Sequence, residues 1–352
     1  MASEREIFSL TGPSYLKTID WNNSHQRKSI AASLVQGVYI LERDRQQNRL
    51  GPQALAPPWW EFFDFVLNQV LVDEDDHSFF GAIYEFKFHS PHPNYPGGQN
   101  PPKYVIAFRG TINKPGNRSQ DFKLDVHCII NNLQKSSRFR VGMEGTQNIV
   151  YNAGLGNVWL AGHSLGSSIA LLIGRNMVKN CIHIETYLFN PPFMSPPIER
   201  IKNEKLKHGV RFANSVLTAG LATAFNGAHK PKAPQDDPFI VLSSWVPYLF
   251  LNPSDPICSE YVGYFEHREN MEKMGAGKIG MLATQHSIGS IVTAARGNDS
   301  EPVHLIPSAL ATPDPRTCIG SGNAAEIKSA IEAFDVETVI FYDELLPGLF
   351  SG

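Results

Sequence analysis

The chain has 352 residues, of which 42% are hydrophobic and 18% charged, with a formal net charge of −3 and an isoelectric point near 6.5. That length buries a large core in one large domain or two ordinary ones, and the weak net charge gives no electrostatic basis for nucleic-acid binding. Cys128, Cys181, Cys258 and Cys318 lie far apart with no CxxC pair, which suggests neither a zinc site nor a disulfide framework and leads to the expectation of reduced core thiols. The first residues, MASEREIFSL, lack the layout of a signal peptide, and no apolar run approaches the roughly 18 residues of a membrane span, so a cytoplasmic protein without a transmembrane segment is expected.

In chain order, residues 1 to 75 read as mostly helical: SIAASLVQGVYILERD and WWEFFDFVLNQVLV carry apolar residues at three- and four-residue spacing and are separated by Pro52, Pro57 and Pro58. FFGAIYEFKF and KYVIAFRG read as strands joined by a segment rich in Pro, Gly and Asn. The mixed segment DFKLDVHCIINNL leads to a further helix, then to the strand VWLA and an apolar helix beginning near Leu165. ETYLFN reads as a strand, PPFMSPP as a loop, IERIKNEKLKHGVR as a charged helix with a solvated face, and VPYLFL as another strand. This alternation predicts an α/β fold with a mainly parallel sheet covered by helices on both faces, without internal repeats. The lone GAGKIG at 275–280 follows a charged helix rather than a strand and does not read as a dinucleotide site.

Between the strand and the apolar helix stands Gly162-His163-Ser164-Leu165-Gly166, a G-x-S-x-G pattern. A strand feeding a helix through such a turn is the setting of a nucleophile elbow, in which the serine is held in a strained conformation at the amino end of a helix. The competing reading is a serine that caps the helix. The elbow is preferred because both flanks have the required pattern.

VIAFRGT, followed by Asp121 and Asp125, then LAGHSLG and LNPSD, resembles the class 3 lipase branch of the α/β-hydrolases. Within that branch residues 8 to 312 resemble the plant proteins labelled GDSL esterase/lipase, although no Gly-Asp-Ser-Leu string occurs. The resemblance implies an α/β-hydrolase domain over residues 1–312. It also implies an ester hydrolase acting through Ser, Asp and His on small-molecule or lipid esters, acylglycerols among them, with peripheral lipid contact and with no metal or organic cofactor.

A serine hydroxyl needs an imidazole to take its proton and a carboxylate to orient that imidazole. Asp255 is the expected acid because it follows the strand VPYLFL in the loop past its end and comes after Ser164 in the chain; Asp236 and Asp237 precede a strand instead. Three histidines follow Asp255. His267 lies in charged surroundings that read as an exposed helix start, His286 lies in a helical pattern, and His304 sits in a polar-to-apolar transition before a proline; His304 is the preferred base. The oxyanion hole is expected from the N–H of Leu165 and, by the resemblance, from Thr111 after VIAFRG. Arg109 reads as a structural partner of Asp121 or Asp125.

Relatives of this branch continue into a segment like Ala-His-Gly-Ile-His-Gln-Trp-Trp, which has no counterpart here. Residues 316 to 352 instead resemble part of the amino-terminal domain of the HflX-type ribosome-associated GTPases, so 313–352 is expected to be a grafted tail. The chain contains no G-x-x-x-x-G-K-[ST] phosphate loop, and no GTPase activity follows. The alternatives to an active hydrolase are a catalytically inactive α/β-hydrolase used for binding and, through the tail, a ribosome-contacting role.

Overall fold

A computed structural model describes residues 7–87, 100–112, 132–154, 156–193, 210–218, 220, 238–252, 255, 258–275 and 306–313. Among these, seven strands form one sheet: β1 (Phe65–Val72), β2 (Phe79–Phe86), β3 (Tyr104–Phe108), β4 (Val158–His163), β5 (Glu185–Phe189), β6 (Tyr248–Leu251) and β7 (Leu310–Pro313). They lie side by side in chain order; β2 is antiparallel to both of its neighbours, β1 and β3, and every neighbouring pair from β3 to β7 is parallel. The helices are α1 (Ile7–Thr11), α2 (Ser24–Gln46), α3 (Pro58–Glu61), α4 (Ser137–Ala153), α5 (Leu165–Lys179), α6 (210–218), α7 (Pro238–Ser243) and α8 (Glu260–Lys273).

The period-2 pattern of the strands builds two cores. Val105, Ala107, Trp159, Ala161, Tyr187 and Phe189 face α2 and α3 with Ile30, Leu34, Val38 and Trp59. Ile106, Phe108, Leu160, Leu188 and Leu249 face the other way, against Ile169, Leu172 and Ile173 of α5 and Trp245, Cys258 and Tyr261. β4 is buried at all six positions, as a central parallel strand with both faces covered must be. α2 begins where the Asn23 side chain accepts from His25 and Gln26 N–H, and α4 where Ser136 accepts from Phe139 N–H. The sheet, its two helical layers and the strand–serine–helix junction at its centre make this an α/β-hydrolase fold.

One stretch departs from the sequence reading. Residues 59–72 hold only the short α3 and then β1, not a helix. Asp64, at φ 60°, breaks the helical path, and the Phe- and Val-rich run beyond it pairs with β2, Val66 opposite Glu85. Its clustered aromatics imitate helical spacing, but ladder pairing overrides that pattern.

Candidate active site

The carboxyl ends of the parallel strands carry the site. Ser164 is the first residue past β4 and stands at φ 51°, ψ −124°, a region that side-chain-bearing residues rarely occupy. Its side chain makes no capping bond to α5, so the capping role is not the one it fills. The two motif glycines explain how the turn closes. A Cβ on Gly162 would lie 2.4 Å from Gly166 O, and one on Gly166 2.4 Å from Phe108 O, so α5 packs onto β4 and β3 at a distance only glycine permits. Leu165 opens α5, and the N–H of a first helical residue has no intrahelical acceptor.

The loop after β3 reaches the same point. A Cβ on Gly110 would meet Ser164 Cβ at 2.9 Å and Tyr39 Oη at 2.7 Å, so this loop lies in van der Waals contact with the serine. Thr111 follows directly, and its buried Oγ1 has no hydrogen-bond partner among the described residues. Arg109 is buried; its Nε donates to Phe79 O at 2.6 Å and its NH1 to Gly110 O at 2.7 Å, while burial draws its pKa below the ordinary value. Asp121 and Asp125, its expected partners, lie outside the described residues.

Asp255 stands half-buried four residues beyond β6, its N–H donating to Asn252 O at 3.1 Å and its carbonyl accepting from Ser259 N–H at 2.9 Å just before α8. Because β4 and β6 belong to the same parallel set, Asp255 and Ser164 follow carboxyl ends on one edge of the sheet. Asn190, at φ 46° beyond β5, joins the exits of β5 and β6: its N–H donates to Phe250 O at 2.9 Å and its Oδ1 accepts from Asn252 N–H at 3.1 Å.

His304 and His286 lie outside the described residues. His267 does not match its expected exposed position. It sits in the middle of α8, buried, with Nε2 2.8 Å from Ser215 Oγ on α6. Arg211, expected on a solvated face, is buried in an ion pair with Glu260 at 2.8 Å. The charges flanking both residues in sequence conceal a shared polar seam between α6 and α8. Of the cysteines, Cys258 is a buried free thiol as expected, whereas the free Cys181 is exposed.

Two residues beside the serine escaped sequence reasoning. Tyr39, inside the apolar pattern of α2, places its hydroxyl 2.8 Å from Nδ1 of His163 and accepts the N–H of Gly110 at 2.7 Å. His163 is 1% exposed, and burial pushes its pKa down to about 3, so its imidazole is neutral. No group of His, Cys, Asp or Glu able to hold a metal occurs among the described residues. Nor is any described helix long and apolar enough to cross a membrane.

Comparison with known proteins bears on the same chain. It is 49% identical over 322 residues to the Arabidopsis thaliana protein named GDSL esterase/lipase, covering 89% of this chain and 90% of that protein. Among solved structures, the Rhizopus microsporus var. chinensis lipase is 16% identical with a TM-score of 0.29, over 51% of this chain and 63% of that one. The esterase LipW of Mycobacterium marinum is 12% identical with a TM-score of 0.32, over 77% and 85%. A family described as GTP-binding GTPase N-terminal matches residues 286–349, a span that takes in His286, His304 and β7.

Proposed function

The chain belongs to the family of the Arabidopsis protein named GDSL esterase/lipase, and from that premise we propose that it is a carboxylic-ester hydrolase with Ser164 as nucleophile. The observation that carries the reading is the conformation of Ser164: strained, unused as a helix cap, and in contact with a loop whose next residue holds a buried hydroxyl without a partner among the described residues. A strained serine of no capping value at the amino end of a helix is accounted for by nucleophilic chemistry.

In the proposed reaction a histidine takes the Ser164 hydroxyl proton as Oγ attacks the ester carbonyl. The tetrahedral oxyanion accepts hydrogen bonds from Leu165 N–H and from Thr111 N–H and Oγ1–H. Collapse returns the proton to the departing alkoxide and leaves acyl-Ser164, which water hydrolyses with the same base. Asp255 orients the imidazole, and His304 is the proposed base. The substrate class is acyl esters, with acylglycerols and peripheral contact with a lipid surface as the finer proposal. Labelling by a fluorophosphonate probe, retained in wild type and lost in Ser164→Ala, is the test; an unlabelled folded wild type rejects the reading.

One observation favours a second reading. β7 is parallel to β6, so the chain enters β7 at the amino edge of the sheet, whereas Ser164 stands at the carboxyl edge. His304 precedes β7 in the chain and lies outside the described residues. A chain without a working base would be a binding protein that keeps the elbow, and the same labelling experiment separates the two.

A further inference from the structure

We propose that Tyr39 is a positioning residue for acyl transfer, holding the Gly110–Thr111 oxyanion loop against the nucleophile turn through a single hydroxyl. The inference rests on the serine-hydrolase reading above. The Gly110 N–H is only a donor, so the Tyr39 oxygen accepts it at 2.7 Å, and the same hydroxyl pairs with His163 Nδ1 at 2.8 Å. His163, one residue before Ser164, is a neutral buried ring that joins the Tyr39 hydroxyl through Nδ1.

The arrangement fixes the peptide that matters. Gly110 O and Thr111 N–H belong to one planar trans peptide and point in opposite directions. Arg109 NH1 holds Gly110 O at 2.7 Å, so Thr111 N–H is aimed away from the guanidinium. Tyr39 holds the preceding peptide by Gly110 N–H. The two soft dihedrals of Gly110, which lacks the Cβ that limits other residues, are thereby clamped from both sides. The contact is close enough to transmit: the Cβ position of Gly110 lies 2.7 Å from Tyr39 Oη and 2.9 Å from Ser164 Cβ. Without the Tyr39 hydroxyl the loop keeps its packing and loses its aim.

The test is Tyr39→Phe, which removes one oxygen from a buried ring. Expected is a fall in kcat of about 10- to 100-fold with KM within about twofold, less than the loss of a whole oxyanion donor. Sulfur is a poor hydrogen-bond acceptor, so the ratio of kcat/KM for an ester over its thionoester analogue reports the oxyanion hole; it should fall at least fivefold in Tyr39→Phe. An unchanged ratio, with both substrates slowed alike, overturns the positioning role. His163→Leu should reproduce the Tyr39→Phe ratio, and His163→Asn, which offers a carbonyl acceptor near the place of Nδ1, should recover part of it. Hydrogen exchange of peptides spanning 105–112 gives a readout independent of turnover: at least tenfold faster exchange is expected in Tyr39→Phe, and unchanged exchange overturns the inference. Faster exchange in Tyr39→Phe, together with a wild type that no fluorophosphonate labels, would reject the hydrolase reading alone.

Discussion

The main-chain N–H of Ser164 donates to the carbonyl of Phe189 at 2.9 Å, which binds the serine to the neighbouring strand β5 before α5 begins. That bond helps hold φ at 51°, a conformation costing on the order of 1–3 kcal/mol for a residue with a Cβ. Ser164→Ala and Ser164→Gly should both abolish labelling. The glycine variant should also be more stable than the alanine variant by about 1 kcal/mol, even though glycine ordinarily costs chain entropy, because here it relieves strain. Urea unfolding of the two variants decides it, and equal midpoints would mean the turn stores no strain.

Asp255→Asn should leave a folded enzyme whose turnover falls by about 10⁴, the penalty of an imidazole held in the wrong tautomer. His304→Ala should match Ser164→Ala. Steady-state hydrolysis of a soluble short-chain ester measures both. Full activity in His304→Ala, with loss in His286→Ala, would transfer the base to His286.

Thr111→Val removes the hydroxyl but keeps the N–H. The expected loss is about 10²-fold in kcat with little change in KM, and Thr111→Ser should restore most of it. A Thr111→Val enzyme with wild-type kcat would assign the buried hydroxyl no part in the transition state.

Acid stability reports on His163. The ordinary histidine pKa is 6.5 and burial brings this one to about 3, so between those values the unfolded chain binds a proton that the folded protein refuses. Stability is therefore fully present above pH 6.5 and falls as the pH drops toward 3, by up to about 1.4 kcal/mol per pH unit. Glu42 acts in a lower window. Burial would raise its pKa, but Arg45 and the Phe79 N–H outweigh that and hold it below its ordinary value of 4.5, so its contribution is lost only under more acidic conditions. Unfolding free energies of wild type and His163→Asn between pH 7.5 and 5 should converge on acidification; parallel curves would show that the buried ring does not stay neutral.

Strands β2 to β6 and the strand–serine–helix turn were legible because their signals are local. β4 declares itself in an apolar run that ends in a small-residue turn, and the position of Asp255, though not its role, follows from the apolar strand before it. What escaped depends on tertiary pairing. Tyr39 looks like one more apolar position of α2, and only the approach of β3 and β4 gives its hydroxyl two partners. Asn190 reads as the last residue of the strand ETYLFN, yet it stands past β5, where its positive φ and side chain join two strand exits. β1 was misread because its periodicity fits a helix until β2 supplies a ladder, and His267 because charged sequence neighbours say nothing of Ser215 across the α6–α8 seam.

The boundary of the tail is testable by deletion. Removing residues 314–352 should lower the unfolding temperature by only a few degrees, about 1 kcal/mol or less on the usual size scaling, if that segment is a grafted fragment. Removal from residue 306 onward also takes away β7, the buried Ile306 and the bond from Leu310 N–H to Pro247 O, and should prevent folding. Calorimetry of both truncations is the measurement. Loss of folding in the shorter deletion would make the tail part of the sheet.

The seven strands stand in the order in which they are synthesised. Among the described residues no later strand has to be inserted between earlier ones, so these strands extend the sheet at one growing edge as the nascent chain emerges. The serine turn and the loop from β3 can close once α5 has left the ribosome, but Asp255 follows several seconds later at about 5–20 residues per second. During translation the chain thus passes through a stage with a formed serine turn and without the proposed acid, and a ribosome-bound chain arrested at that stage would hold only half of the proposed site.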